Sequence, residues 1–172
     1  MGVMKLLIRH GVDVNAAGPE SGATALHHAA FYNNVAGVDV LVESGAAVDW
    51  QDNRGWTPLH CACSGGCHQS VAALLGHGAD LGKPDGTGLT PLHRQRCSAP
   101  CGMLSGEAID LLLEAGATMD VQDIGGWTPL HAASMGGWCA STIALLKHGA
   151  DPDTRSGTKS TSAGLTPLQM AA

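Results

Sequence analysis

The sequence predicts an all-α repeat solenoid built from helix–turn–helix units. Three observations carry this. One phrase recurs: Thr24, Thr57, Thr90, Thr128 and Thr166 open "TALH", "TPLH", "TPLH", "TPLH" and "TPLQ", at spacings of 33, 33, 38 and 38 residues. A glycine recurs in phase with it at the end of an apolar run, as Gly11, Gly45, Gly78, Gly116 and Gly149. And neither helix of a unit buries enough surface to be stable alone, whereas stacked units share one continuous core.

Each part of a unit has a physical reason. Thr is a helix N-cap, because its hydroxyl accepts from an orphan N–H of the first turn. Pro at the first helical position lacks only an N–H that has no partner there. Small residues follow, such as Ala29 and Ala30, or Ala62 and Cys63, and Asn33, Gly66 or Gly137 then ends the short helix. The second helix carries a bulkier stripe: Val38, Leu41 and Val42; Val71, Leu74 and Leu75; Ile109, Leu112 and Leu113; Ile143, Leu145 and Leu146. The recurring glycine falls at C′, where a left-handed residue closes a helix. Asp- and Gly-rich connections such as "AVDWQDNRGW" read as turns or hairpins.

Residues 1–16 hold a second helix without its first, full units occupy 17–50, 51–83, 84–121 and 122–154, and 155–172 stop inside a first helix. Leu6, Leu7 and Ile8 at one end, and Leu168 and Met170 at the other, lack a polar cap, which predicts a fragment of a longer array or an incomplete gene model.

The phrases "ATALHHAA", "GWTPLHCAC" and "GWTPLHAAS", followed by "LLxxGAD", resemble ankyrin repeats over nearly the whole chain. The resemblance implies β-hairpin fingers between helix pairs, stacking into a curved array, and structural hydrogen bonds from His27, His60, His93 and His131 near the helix starts. Gln169 replaces that histidine in the fifth copy.

The unit opening at Thr90 departs from the pattern, with five extra residues in "HRQRCSAPCGMLSGEA". Gln95 and Arg96 fall on the small core-facing positions, and a buried unpaired Arg is too costly to keep. We therefore expect a short first helix ending near Cys97, an exposed loop over 98–105, and a local basic spot from Arg94 and Arg96. Decay of the repeat and a functional insertion both fit.

Composition narrows the function classes. A net charge of −6 without runs of like charge argues against nucleic acid, which needs a basic stripe. No apolar run approaches the roughly 20 residues of a membrane span. Without an export signal, we expect an intracellular location, cytoplasmic or nuclear, with free thiols. No Ser-His-acid set, phosphate loop or clustered carboxylates appear, so we expect no enzyme activity, no cofactor and no small-molecule substrate. His77 and His148 precede a C′ glycine, where a cation suits a helix C-terminus.

Cysteine and histidine cluster in "HCACSGGCHQ", but the repeat register points His60, Cys61, Cys63, Cys67 and His68 in different directions, against zinc. His93, Cys97 and Cys101 would share a face if their helix continued, giving a metal or redox site, but Pro100 argues against that. Asn15 in "LLIRHGVDVNA" resembles the ankyrin site that asparaginyl hydroxylases modify; an ordinary turn Asn is the simpler reading.

Partner-binding candidates lie on the fingers and the inner groove. Trp56 and Trp127 precede the cap Thr, where the finger returns to the helix, and Asn53 and Arg54 lie at a finger tip. These tryptophans are either binding hot spots or packing between fingers. His28, Tyr32, Arg94 and Met135 complete a strip along the inner groove. The expected function is a noncatalytic scaffold or adaptor for a protein partner. Alternatives are the targeting part of a larger enzyme or ubiquitin-ligase subunit, and a cysteine-based metal or redox sensor.

Overall fold

The computed structural model describes residues 2–95, 106–157 and 164–172. Its elements are α1 (Val3–Arg9), α2 (Ala25–Phe31), α3 (Val35–Glu43), α4 (Pro58–Gly65), α5 (His68–Gly76), a 3₁₀ turn (Pro91–Arg94), α6 (Glu107–Glu114), α7 (Pro129–Met135), α8 (Cys139–Lys147) and α9 (Pro167–Ala171). They pack as two rows. α2, α4, the 3₁₀ turn, α7 and α9 follow one another in the first, and α1, α3, α5, α6 and α8 in the second. This is the expected all-α repeat solenoid.

Register explains the packing. Leu26, Leu59, Leu92 and Leu130, each two residues after a cap Thr, are all buried. So are Leu41, Leu74, Leu112 and Leu145 of the second row. Removing one such side chain from water contributes about 2 kcal/mol, while ordering each backbone residue costs about 1–2 kcal/mol. A lone pair of helices therefore falls short, and the shared interface between units supplies the difference. Ala30, Ala62 and Cys63 are fully buried, which lets neighbouring first-row helices approach.

Each recurring glycine follows a helix and adopts a left-handed conformation, from φ 81° at Gly78 to φ 97° at Gly116. The next residue folds back onto the helix: Ala79 N–H donates to Leu74 O and Ala117 N–H to Leu112 O. An Ala at these sites would meet no neighbour but would carry the cost of the left-handed backbone.

Four expectations need correcting. In α8, Ile143 and Leu146 are about two-fifths exposed, and the buried face is Ala140, Ser141, Ala144 and Leu145. The apolar stripe there slips by one position, because Thr142 stands where Val38, Val71 and Ile109 stand earlier. The fingers contain no strand among the described residues; each arm is so short that a single turn closes it. The first helix at Thr90 is shorter than expected, since it is a 3₁₀ turn ending at Arg94. Gln95 then takes an extended conformation and is itself buried, with its carbonyl accepting from Ser141 Oγ. Finally, Arg94 gives no basic spot, because its guanidinium is ion-paired with Asp85. Arg96, Cys97, Cys101 and the 98–105 segment lie outside the described residues.

Candidate functional site

An aspartate organises each of three successive finger tips. Asp52 Oδ1 accepts from the N–H groups of Arg54 and Trp56, both over 2.9 Å, while Gly55 N–H donates to Asp52 O. Asp85 repeats this with Thr87 and Leu89, and Asp123 with Gly125 and Trp127. Neighbouring fingers bond through the backbone: Asn53 N–H to Ser21 O, Gly86 N–H to Arg54 O, and Gly157 N–H to Gly126 O. A side chain on Gly55 would lie 2.5 Å from the Gly86 nitrogen, so this approach requires glycine.

Histidines hold the fingers to the helices. The backbone N–H of Thr57 donates to His60 Nδ1 over 3.1 Å, which fixes Nδ1 as the acceptor and Nε2 as the protonated nitrogen. His60 Nε2–H then donates to Leu89 O of the next finger. The same linkage runs from His27 to Trp56 O, His93 to Trp127 O and His131 to Leu165 O. Burial lowers the pKa of His27, His60 and His93, despite opposing bonds to those carbonyls, so they stand as neutral imidazoles.

Between the fingers and the first row lies a groove of about 470 Å³. Its walls are Trp56, Leu89, Trp127, Met135 and Trp138, with Arg94 and Asp123 among the polar groups facing it. The Arg54 guanidinium lies 4.1 Å from the Trp56 ring centroid and that of Arg94 lies 4.7 Å from it. Each arginine is neutralised: Arg54 pairs with Asp52 and Arg94 with Asp85. Burial would raise both carboxylates. The Arg54 side chain and backbone donors outweigh it at Asp52, and the Thr87 and Arg94 side chains do so at Asp85, so both sit below the usual range.

Four of the eight candidates, Trp56, Arg94, Trp127 and Met135, meet in this groove. Arg54 lies on the Trp56 ring. Asn53 is spent on structure, its side chain donating to Glu20 O. His28 and Tyr32 are exposed on and just after α2, away from the groove, and Tyr32 packs edge-on against Phe31 at 5.3 Å. Sequence reasoning missed Trp138, Ile124 and Asp123, which also line the groove. The one available signal was "MGGW", which returns a tryptophan three residues after Met135.

The metal readings lose their ligands to other partners. Both ring nitrogens of His60 and of His93 are engaged. Cys67 Sγ–H donates to Phe31 O, and His68 faces Glu107. Burial pushes the Cys61 thiol up to about 12 and also raises Cys63 and Cys67, so none is a thiolate at neutral pH. Cys61, Cys63 and Cys67 are free, but Cys139 is disulfide-bonded, against the expectation of free thiols throughout. Asn15 bridges units, its side chain donating to Gly45 O and accepting from Ala47 N–H. His77 and His148 do more than face a helix end: they pair with Asp39 and Asp110 of the preceding unit. Among the described residues, no helix is long and apolar enough to cross a membrane.

A family model described as ankyrin repeats, in three copies, matches residues 1–52, 38–94 and 97–172. The chain is 32% identical over 153 residues to palmitoyltransferase AKR1 of Lachancea kluyveri, covering 88% of this chain and 20% of that protein. It is 30% identical over 135 residues to putative ankyrin repeat protein FPV223 of fowlpox virus, covering 77% of this chain and 89% of the viral one. It is 50% identical over 46 residues to human protein phosphatase 1 regulatory subunit 27, covering 27% of this chain and 30% of that protein. With the stacked helix pairs, the histidine linkages and a family match running along almost all of the sequence, the chain belongs to the ankyrin-repeat family and is a protein-interaction module.

Proposed function

We propose that the chain is a noncatalytic scaffold or adaptor that holds a protein partner in the groove between the fingers and the first-row helices. One observation carries this reading: Trp56 of the unit 51–83 and Trp127, Met135 and Trp138 of the unit 122–154 converge on a single cavity of about 470 Å³. Tryptophan concentrates in binding hot spots because it removes much apolar area from water at little rotamer cost. The histidine lining the groove, His93, is neutral and doubly hydrogen-bonded, which favours binding over proton transfer.

Peptides selected from a random display library on the folded chain test this. Trp56→Ala and Trp127→Ala should each weaken the selected peptides by about 2 kcal/mol or more, with much smaller changes in folding stability. Unchanged affinity with a large stability loss would mean that the tryptophans only pack the fingers together.

The lengths of the relatives favour a second reading, in which the array targets a larger enzyme. The matched region is one fifth of a protein named as a palmitoyltransferase. Sequencing the complete transcript decides it: a catalytic domain in the same reading frame supports the targeting role, and its absence removes it.

A further inference from the structure

The finger tips carry their own template for what the groove binds. In the finger that holds Asp52, Oδ1 accepts the backbone N–H groups and Oδ2 accepts the Arg54 guanidinium over 2.8 and 3.1 Å. That guanidinium lies 4.1 Å from the Trp56 ring centroid. In the next finger, Asp85 Oδ2 has an equivalent partner from elsewhere: Arg94, over 2.6 and 3.2 Å, which also lies against Trp56. Two aspartates at one register position are thus each completed by an arginine that stacks on indole.

The third finger has the aspartate and the tryptophan but not the arginine. Asp123 Oδ1 accepts from Gly125 and Trp127 N–H, both over 2.8 Å, and Trp127 stands in the register of Trp56. The register of Arg54 holds Gly125, and the register of Arg94 holds Ala132. Asp123 therefore makes no ion pair, and its Oδ2 accepts no hydrogen bond, among the described residues. Asp123, Gly125, Trp127 and Ala132 all line the groove.

We infer that the groove takes an arginine side chain from the protein partner, with its guanidinium stacked on Trp127 and hydrogen-bonded to Asp123. This completes in trans what Asp52, Arg54 and Trp56 form in cis, and it rests on the groove being the partner site. Charge agrees: the chain carries −6, and among the described residues the one arginine lining the groove, Arg94, is already paired with Asp85. Met135 and Trp138 offer apolar contact to the aliphatic stem. Arginine fits better than lysine, because a planar, weakly hydrated guanidinium both stacks and forks its hydrogen bonds.

The test uses the whole chain, the display-selected peptides, and a fixed probe, the capped tripeptide Gly-Arg-Gly. The probe should shift the indole N–H resonance of Trp127, while Gly-Gln-Gly should not and Gly-Lys-Gly should bind more weakly. Asp123→Asn keeps the Oδ1 acceptor for the finger, and should weaken the arginine probe by about tenfold. Gly125→Arg should fill the site in cis and abolish the response. Equal shifts with arginine and glutamine probes, equal binding of lysine and arginine, or undiminished binding to Asp123→Asn or Gly125→Arg would overturn the inference. Selected peptides that need Trp127 but tolerate Arg-to-Gln replacement would overturn it and leave the groove as the partner site. Selection of no Trp127-dependent peptide would overturn both.

Discussion

His93 Nε2–H donates to the carbonyl oxygen of Trp127 over 2.9 Å. A buried histidine in one unit thereby fixes the backbone beneath a wall of the groove in the next, and groove shape is coupled to the stacking of the array. The ring does two jobs, since its Nδ1 also caps its own first turn by accepting from Thr90 N–H.

Those two jobs can be separated. Gln169 caps its own helix, with Oε1 accepting from Thr166 N–H, so glutamine can replace the local half of the role. His93→Gln should keep the cap, lose the bond to Trp127, and cost about 1 kcal/mol. His93→Ala loses both and leaves buried groups unpaired, for about 3 kcal/mol. Denaturant unfolding measures the pair. A His93→Gln variant as stable as the parent would show that the bond between units contributes nothing.

Acid should destabilise the array early. Burial holds the folded-state pKa of His27, His60 and His93 below the usual 6.5, so the unfolded chain binds more protons in that range. Their contribution is complete above about pH 6.5 and is lost as pH falls below it toward the folded-state values. Asp52 and Asp85, held below the usual 3.8, add a second loss with the same sign at still lower pH. Melting temperature should fall continuously from neutral pH downward; a rise just below 6.5 would contradict this.

Gln95 is the misfit of the third unit. It occupies a buried position that is Ala29, Ala62 or Ala133 in other units, and its Nε2 has no hydrogen-bond partner. The amide meets the Cys63 sulfur, at best a weak acceptor. Gln95→Leu should therefore raise stability by about 1 kcal/mol in thermal unfolding. A loss instead would show that the amide holds the 3₁₀ turn in place.

Gly136 gives access to the groove through Trp138, which also packs against the core. Its backbone is right-handed, with φ −77° and ψ −8°, so alanine carries no conformational cost there. An added Cβ would overlap the Trp138 indole, which must then move. Gly136→Ala should change tryptophan fluorescence and weaken groove-binding peptides by about tenfold. Unaltered fluorescence and affinity would place Trp138 outside the binding surface.

Much of the fold was legible because its signals are local. Thr and Pro at a helix start, small residues one turn on, and glycine at C′ act within a few residues of their own positions. Leu26, Leu59, Leu92 and Leu130 could be assigned to the core from their constant offset to the cap threonine. The trouble at Gln95 was also legible, as a large polar residue on a small-residue face, though not how soon the helix would stop.

The candidate site was only half legible. Trp56 and Trp127 stand out by their repeated position, but Trp138, Ile124 and Asp123 join them only when stacking fixes the distances between units. Whether Arg94 is a free charge or half of an ion pair likewise depends on where Asp85 stands in space. The sequence by itself determined the repeat, its caps and its core, because caps and apolar periodicity are set by short-range sterics and hydrogen bonding. The tertiary structure alone decided which side chains share the groove and which charges remain unpaired, because those depend on the rotation and spacing of one unit against the next.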